Sequence, residues 1–512
     1  MKKTLLLLAI IIPLTSSFGQ IQYQRTHTCG VSIEKPQCSR NTLDGGIITS
    51  GYMDDFSLGD FRLFVVKTDV YGDVIWNKYY SLFDSVCYGT SVIPTSDGGY
   101  AVAGTTFNPS GSSKAFLMKT DPYGSMEWAR TYSLSTVNFI TSMQQDPSGN
   151  FIMTGYTDSI GYSYTNIALL KANSAGALLW YHRFGGSRDD KGNDVITTND
   201  GGYMVTGYSN DFVDNDQIVL VKTDSTGNIA WRQQYGTSDN DAGLNILQDN
   251  SGRYAVLAET TDSTNHVTPQ LMYVDSLGNI IWHKSFTDSS SVYPHNIIKT
   301  SDDGFAFCAN IYDPSGASHM TLTKTDSAGG IMWSKNYGNF VSSSNACLAG
   351  QNPDSGYTIT GNANGIRQIR TDLNGDTGCE QYPTGLSNSS TTIPAQFYVY
   401  VDSWGGNAHT SGSITGLPAM TTTTDCTTGI HEVQPFDEIS VYPNPSNGRF
   451  TIERLRGKNT VVIFDVTGRS ILSEQLTLSR EEIDMSIMDK GIYLISVRSD
   501  DGKVRYGRII IQ

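Results

Sequence analysis

Short runs of alternating apolar and polar residues recur along most of the chain, each bounded by Gly, Asp or Asn. The stretch from Asn193 to Gly236 is representative. Asn193-Asp-Val-Ile-Thr-Thr198 predicts a short strand. Asn199-Asp-Gly-Gly202 predicts a tight turn, because Gly adopts positive φ without a Cβ clash. Tyr203-Met-Val-Thr-Gly207 alternates and predicts a second strand, followed by a polar loop. Gln217-Ile-Val-Leu-Val-Lys222 predicts a third. Asp224-Ser-Thr-Gly227 predicts a turn in which the Asp side chain caps its own backbone. Ile229 to Tyr235 predicts a fourth strand. Four strands in about 50 residues, without helical periodicity, predict one blade of a β-propeller.

The unit repeats. Six tryptophans, Trp76, Trp128, Trp180, Trp231, Trp282 and Trp333, stand 51 or 52 residues apart. An aromatic follows a Gly-rich turn at Tyr100, Phe151, Tyr203, Tyr254, Phe305 and Tyr357, with Ile47 in the first copy. A Lys-Thr-Asp marker or a close variant ends at Asp69, Asp121, Asn173, Asp224, Asp275, Asp326 and Asp372. Three markers in step over seven copies predict an all-β, seven-bladed propeller over residues 20–382. The Trp is expected on the outer strand, buried between blades. The seventh copy has Cys379 where Trp is expected, so the ring is expected to close there.

The ends of the chain differ from the middle. Lys2 and Lys3, the apolar run Leu5–Leu14 and the small residues before Gln20 predict a signal peptide over residues 1–19. The run is half the length a spanning helix needs, and no other stretch of the mature chain is apolar enough to cross a bilayer. Residues 383–435 are rich in Ser, Thr and Gly and predict a linker with one or two strands. Residues 436–512 again alternate, predicting a small β-sandwich with an Ig-like arrangement.

Pro443, Asn444 and Pro445 follow Tyr442 at the entry to this last segment. Gly468 ends an Asp465-x-x-Gly turn, and Gly491-x-Tyr493 precedes a basic-apolar terminal strand. On these residues the segment resembles the type A sorting domain of the type IX secretion system of Bacteroidetes. The resemblance implies that the secretion machinery is a partner. It implies passage through the periplasm and across the outer membrane, removal of the domain, and a product released or attached at the cell surface. The repeats resemble those of exported Bacteroidetes propellers, a likeness that brings no activity with it. They are also similar to the tryptophan-docking repeat of quinoprotein dehydrogenases. The Asp-to-Gly gap is one residue short of that pattern, and vicinal cysteines are missing.

Charge and composition narrow the function. The net charge is −15, and residues 436–512 hold 11 basic and 11 acidic residues, so the whole excess lies before them. Phosphate backbones are bound by Lys and Arg, so nucleic acid is an unsuitable partner. Among the seven cysteines, Cys29–Cys38 and Cys379–Cys426 are expected pairs in an oxidising compartment, and Cys308 is expected as a core thiol.

The candidate chemistry is sparse. No HExxH, GxSxG or phosphate-binding loop occurs, and the eight histidines form no metal-spaced pair. The Asp-x-x-Gly turns, Asp372-x-Asn374-x-Asp376 included, read as structural turns. Loops after the second and fourth strands emerge on one face, and they are acidic. Asp54, Asp55 and Asp60 lie in the first copy. Asp189, Asp190, Asp211, Asp214, Asp216, Asp239 and Asp241 lie in neighbouring copies and form the candidate ligand face. No cofactor is expected. Ca²⁺ is the cation such carboxylates would take, and a solvated acidic rim is the plainer reading. Two functions fit. The first is a secreted or cell-surface binding or adhesion module for a glycan or protein, which is not an enzyme. The second is a polysaccharide hydrolase or lyase with two carboxylates in the propeller funnel.

Overall fold

The computed structural model describes residues 21–378 with breaks at 29–32, 56–59, 83–85, 108–111, 159–163, 212–214, 313–317, 341–346 and 363–364, then seven short strands between 381 and 428 and most of 440–511. All regular structure in these residues is β. Contacts divide the chain into two units, Met1–Gly429 and Ile430–Gln512.

The first unit is a closed propeller. Blade one is formed by Ile33–Asn41, Ile47–Asp55, Asp60–Thr68 and Val74–Ser81. Blades two to six follow with four consecutive antiparallel strands each, over 86–133, 138–184, 190–235, 240–287 and 292–340. The first strand of each blade packs on the first strand of the next. Cys347–Gln351 of blade seven packs in turn on Ile33–Asn41, which closes a ring of seven.

Blade seven takes its fourth strand from the other end of the chain. Gln22–Thr28 pairs with Ile366–Arg370, with Tyr23 opposite Arg370. In blade four, Trp231 is opposite Lys222 of the Lys-Thr-Asp marker. Arg370-Thr371-Asp372 is that marker in the seventh copy, so Tyr23 fills its Trp position.

The repeat markers build the joints between blades. Trp76, Trp128, Trp180, Trp282 and Trp333 pack on the glycine of the next blade's Asp-x-x-Gly turn, while at Gly278 the nearest side chains are Gln233 and Tyr235. A Cβ on Gly124 would stand 2.8 Å from the Trp76 ring, and one on Gly375 2.6 Å from the Trp333 ring. The equivalent Gly72 abuts Tyr23, at 2.7 Å. The indoles are half-buried between blades, as their place on the outer strand predicts, and they also donate across the joint. Trp76 Nε1 reaches the Pro122 carbonyl at 3.1 Å and Trp231 Nε1 the Ser276 carbonyl at 3.2 Å. Four residues later, the Tyr80, Tyr132, Tyr235 and Tyr337 hydroxyls donate to the Gly124, Gly176, Gly278 and Gly375 carbonyls at 2.6–2.8 Å. The lysine of the marker is buried. Lys67, Lys119, Lys222 and Lys324 pair with Asp44, Asp97, Asp200 and Asp302 of the first turn at 2.8–3.0 Å. A buried ammonium needs such a partner, so one turn is tied to the other in these four blades.

Residues 383–435 were expected to be a linker with one or two strands. Instead, the chain from Gln381 runs back around the ring and adds a fifth, outermost strand to every blade. Gln381–Pro383 pairs with blade six, Ser387–Ser390 with five, Ala395–Phe397 with four, and Asp402–Ser403 with three. Asn407–His409 pairs with two, Ser413–Gly416 with one, and Thr421–Thr428 with Gln22–Thr28 of blade seven. These strands start five to eight residues apart. The physical reason is edge pairing. Six fourth strands and the N-terminal strand would otherwise present open N–H and C=O groups. Short Ser- and Thr-rich segments can satisfy them by backbone bonding alone.

Cys38, Cys87 and Cys308 are buried thiols. Cys308 is therefore a core residue as expected. Cys38 lies on the first strand of blade one with its Sγ 3.8 Å from the Val92 carbonyl, while Cys29, its expected partner, lies outside the described residues. The Cys379–Cys426 pair and the signal peptide lie outside the described residues.

The second unit has a three-stranded sheet (Ser440–Tyr442, Arg449–Glu453, Arg480–Asp484) and a four-stranded sheet (Ser470–Leu476, Asn459–Phe464, Gly491–Ser499, Val504–Ile511), both antiparallel. Phe450, Ile452, Val461, Ile463, Ile495 and Ile509 are among the buried residues that form its core.

Candidate functional site

The first strand of every blade starts, and the second ends, at the same end of the blade. The structure there differs from blade to blade. At one register position, five residues into the second strand, stand Tyr52, Thr105, Tyr156 and Tyr208 in blades one to four. Glu259, Asn310 and Asn362 stand there in blades five to seven. Opposite them on the first strands of blades one to four are Lys35, Tyr88, Phe139 and Lys191.

These residues form an arc of half-buried rings. Tyr52 lies 4.6 Å from Tyr88 and 5.8 Å from Phe61. Tyr88 lies 5.4 Å from Phe107, and Phe107 lies 5.4 Å from Phe139. Phe139 stacks on Tyr156 at 4.7 Å. A lysine stands at each end. Lys35 Nζ is 5.5 Å from the Tyr52 ring, and Lys191 Nζ is 4.7 Å from the Tyr156 ring. Strand alternation turns Val86, Tyr88 and Thr90 to one side. With Tyr52, Phe61, Phe107 and Phe139 they line a cavity of about 470 Å³, with Gln37 and Thr105 as further polar members.

A second cavity, of about 220 Å³, lies in the central channel. Each first strand of blades one to six carries a β-bulge four residues before its end, at Gln37, Thr90, Thr141, Asn193, Leu244 and His295. A bulge re-aims side chains. Most of these residues, and those that follow them (Cys38, Ser91, Ser142, Asp194, Asn245 and Asn296), line the cavity with Arg40. Hydrogen bonds link blade to blade around it. Thr90 Oγ1 donates to the Ile140 carbonyl at 2.7 Å, Thr141 Oγ1 to the Gly192 carbonyl at 2.8 Å, and Asn193 Nδ2 to the Gly243 carbonyl at 2.8 Å. Asp194 joins three blades, accepting from Ser142 Oγ at 2.6 Å, Asn245 Nδ2 at 2.5 Å and the Ile246 N–H at 3.0 Å. Burial lifts its carboxyl to about 6 against these donors and the Arg40 charge. Among the described residues lining either cavity, Asp194 is the only carboxylate.

The acidic candidates are placed otherwise. Asp190 and Asp211 flank the buried Arg232 guanidinium at 2.8 and 3.2 Å. Burial raises Asp190 to about 7 although Arg232 opposes it. Asp241 is fully buried and accepts from the Thr237 N–H and the Thr260 hydroxyl. Asp189 accepts from the Thr165 N–H and hydroxyl at 2.8 Å. Asp216 and Asp239 are half-buried, and Asp214 lies outside the described residues. Among the described residues no three His, Cys, Asp or Glu side chains converge as a metal would require. Asp372 accepts from its own turn, at the Asn374 and Asp376 N–H groups, as a structural turn should. Of the sorting residues, Gly491 opens a strand and Tyr493 is buried in the core, while Pro443, Asn444, Pro445 and Gly468 lie outside the described residues.

The reading of the sequence missed the aromatic arc. Its signal was present in the Gly-Tyr pairs at 51–52, 155–156 and 207–208, in phase with the repeat but replaced by polar residues in later copies. A position that packing alone governed would keep one character throughout.

The protein is thus a closed seven-bladed propeller with a β-sandwich after it. Residues 440–512 match the family of secretion system C-terminal sorting domains. The sandwich is a type IX sorting domain, and the chain is an exported protein, secreted or attached at the cell surface. No curated protein matches the sequence. Among solved structures, the chain is similar to PorZ, a surface component of the type-IX secretion system of Porphyromonas gingivalis. The identity is 12% over 93% of this chain and 59% of that one, with a TM-score of 0.41. It is also similar to β-1,2-mannobiose phosphorylase from Listeria innocua, at 11% identity over 67% and 90% of the chains and a TM-score of 0.28. Scores this low establish no common function, and the propeller rests on the strand pairing described above.

Proposed function

We propose that the protein is an exported binding module that holds an extracellular glycan in the aromatic cavity of blades one to three. The observation that carries this reading is the group Tyr52, Phe61, Tyr88, Phe107 and Phe139, five half-buried rings gathered around one cavity of about 470 Å³. Binding sites are concave and largely apolar, with a few polar groups that fix orientation. The apolar faces of sugar rings suit such a lining, and Gln37, Thr90 and Thr105 supply hydrogen-bonding groups beside it.

The reading needs no cation. Asp189, Asp190, Asp211 and Asp241 are engaged by neighbouring donors, so coordinating Ca²⁺ would mean giving those bonds up. The hydrolase alternative calls for paired carboxylates, and among the described residues the two cavities offer Asp194 alone. The test is a glycan-array screen of the purified protein, with Ca²⁺ and with chelator. Saturable binding that survives chelation and falls at least tenfold in Phe107→Ala is expected. Binding abolished by chelator, or unchanged in Phe107→Ala, would overturn the assignment.

A further inference from the structure

The mouth cavity and the channel cavity share two residues, Gln37 and Thr90. Both are bulge residues on adjacent first strands, so one wall passes from the aromatic compartment into the polar one. The two compartments differ in chemistry. The upper is lined by five rings. The lower is lined by short hydroxyl and amide side chains, with Arg40, Asp194 and His295 among them.

The lower compartment also has unused hydrogen-bonding capacity. His295 Nε2 is buried and makes no hydrogen bond within the protein. Burial holds the imidazole well below its ordinary range, at about 4, so the ring is neutral at physiological pH. A buried polar nitrogen without a partner costs free energy unless water or a ligand meets it. The volume, about 220 Å³, is that of roughly seven waters at about 30 Å³ each. It has room for one small polyhydroxylated unit.

Topology restricts how such a unit can enter. The ring is closed by first-strand contacts all the way round, including blade seven on blade one. A polymer cannot slide in sideways, because there is no gap between blades. A sugar chain that enters the channel from the mouth therefore leads with its end.

We propose that the two cavities form one site that recognises the end of a glycan. The terminal unit sits in the channel among Ser91, Ser142, Asn245 and His295, and the preceding unit stacks on Tyr88 and Phe107. This inference rests on the glycan reading above and adds a substrate class to it, namely chain ends and not chain interiors.

The experiment compares wild type, Ser91→Leu and His295→Gln on an array of glycans printed through their reducing ends and differing in the terminal unit. Ser91 is buried on the channel wall, so a leucine there fills the cavity and leaves the rings in place. Melting temperature identifies a variant that fails to fold, and His295→Gln then serves, since it alters the lining with little change in volume. Wild type is expected to discriminate among termini, and the free terminal monosaccharide to compete. Ser91→Leu is expected to lose at least tenfold in affinity and to retain weak binding that ignores the terminus. If folded variants bind with wild-type affinity and terminal preference, the end-recognition proposal falls and the glycan reading stands. If wild type binds no glycan at all, both fall.

Discussion

Blades one to six and blade seven make the same joint from different pieces of chain. In the first six, the ring that packs on the next glycine turn comes from the blade's own fourth strand, and so does the backbone that receives the outer strand. In blade seven, Tyr23 supplies the ring, Gln22–Thr28 supplies the strand, and the outer strand is Thr421–Thr428. One sheet thus gathers residues 22–28, 347–370 and 421–428. The joint chemistry is conserved by geometry, since Tyr23 stands opposite Arg370 as Trp231 stands opposite Lys222. What differs is the loop that must close to bring the pieces together. Closing a long loop costs entropy before any contact repays it. The seventh blade is therefore where the ring depends most on long-range pairing, and where it should be easiest to open.

The largest expected effect comes from removing the outer strand at that seam. A chain ending at Met420 keeps six of the seven outer strands and loses Thr421–Thr428, which makes seven register pairs with the N-terminal strand. At about 1 kcal/mol net per backbone hydrogen bond, the loss should be on the order of 5 kcal/mol relative to a chain ending at Gly429. Denaturant unfolding of the two chains measures it. Identical midpoints would mean that blade seven closes without its fifth strand.

A smaller difference should separate the two kinds of joint. Tyr23 is 1% exposed, and Tyr23→Ala should cost about 3–5 kcal/mol as a buried aromatic deletion. Trp231 is half-buried, and Trp231→Ala should cost about 2 kcal/mol, the lower value reflecting its exposed edge. The same unfolding experiment ranks them. A greater loss at Trp231 would make the regular joints, and not the seam, the ones that limit stability.

The contrast also explains what could be read from sequence. The blades were legible because their second and third strands, buried on both faces, are apolar runs bounded by Gly turns that recur at 51 or 52 residues. The circling segment was not. Its strands are two to eight residues long and carry no alternating apolar face, so Ser387-Asn-Ser-Ser390 and Thr421-Thr-Thr-Thr424 read as loop. The partnership of Tyr23 with Arg370 leaves no local trace, because nothing near Tyr23 encodes a residue 347 positions away. The acidic residues were visible as a cluster, yet the sequence could not reveal that Arg232, one residue after a repeat Trp, takes up two of them. The aromatic cavity draws on several strands of three blades, and only its in-phase tyrosines follow the repeat.

The smallest effect sharpens the comparison at the centre of the ring. Asp194 bonds Ser142 of blade three and Asn245 and Ile246 of blade five, so it belongs to regular joints far from the seam. Its carboxyl is raised from the ordinary 3.8 to about 6, chiefly by burial. A raised acid holds its proton more tightly in the folded state than in the unfolded one. Its contribution to stability is complete below about pH 4 and is lost as pH rises through 6. Between pH 4 and 7 the wild type should therefore lose up to roughly 2 kcal/mol through this group. Asp194→Asn cannot titrate, so its stability should change less with pH over that window, whatever its absolute value. The readout is the difference in slope, because Asp190 and Glu259, both raised to about 7, tilt the two proteins alike. Equal slopes would mean that Asp194 remains ionised across the window, held so by its three donors and by Arg40 across the channel.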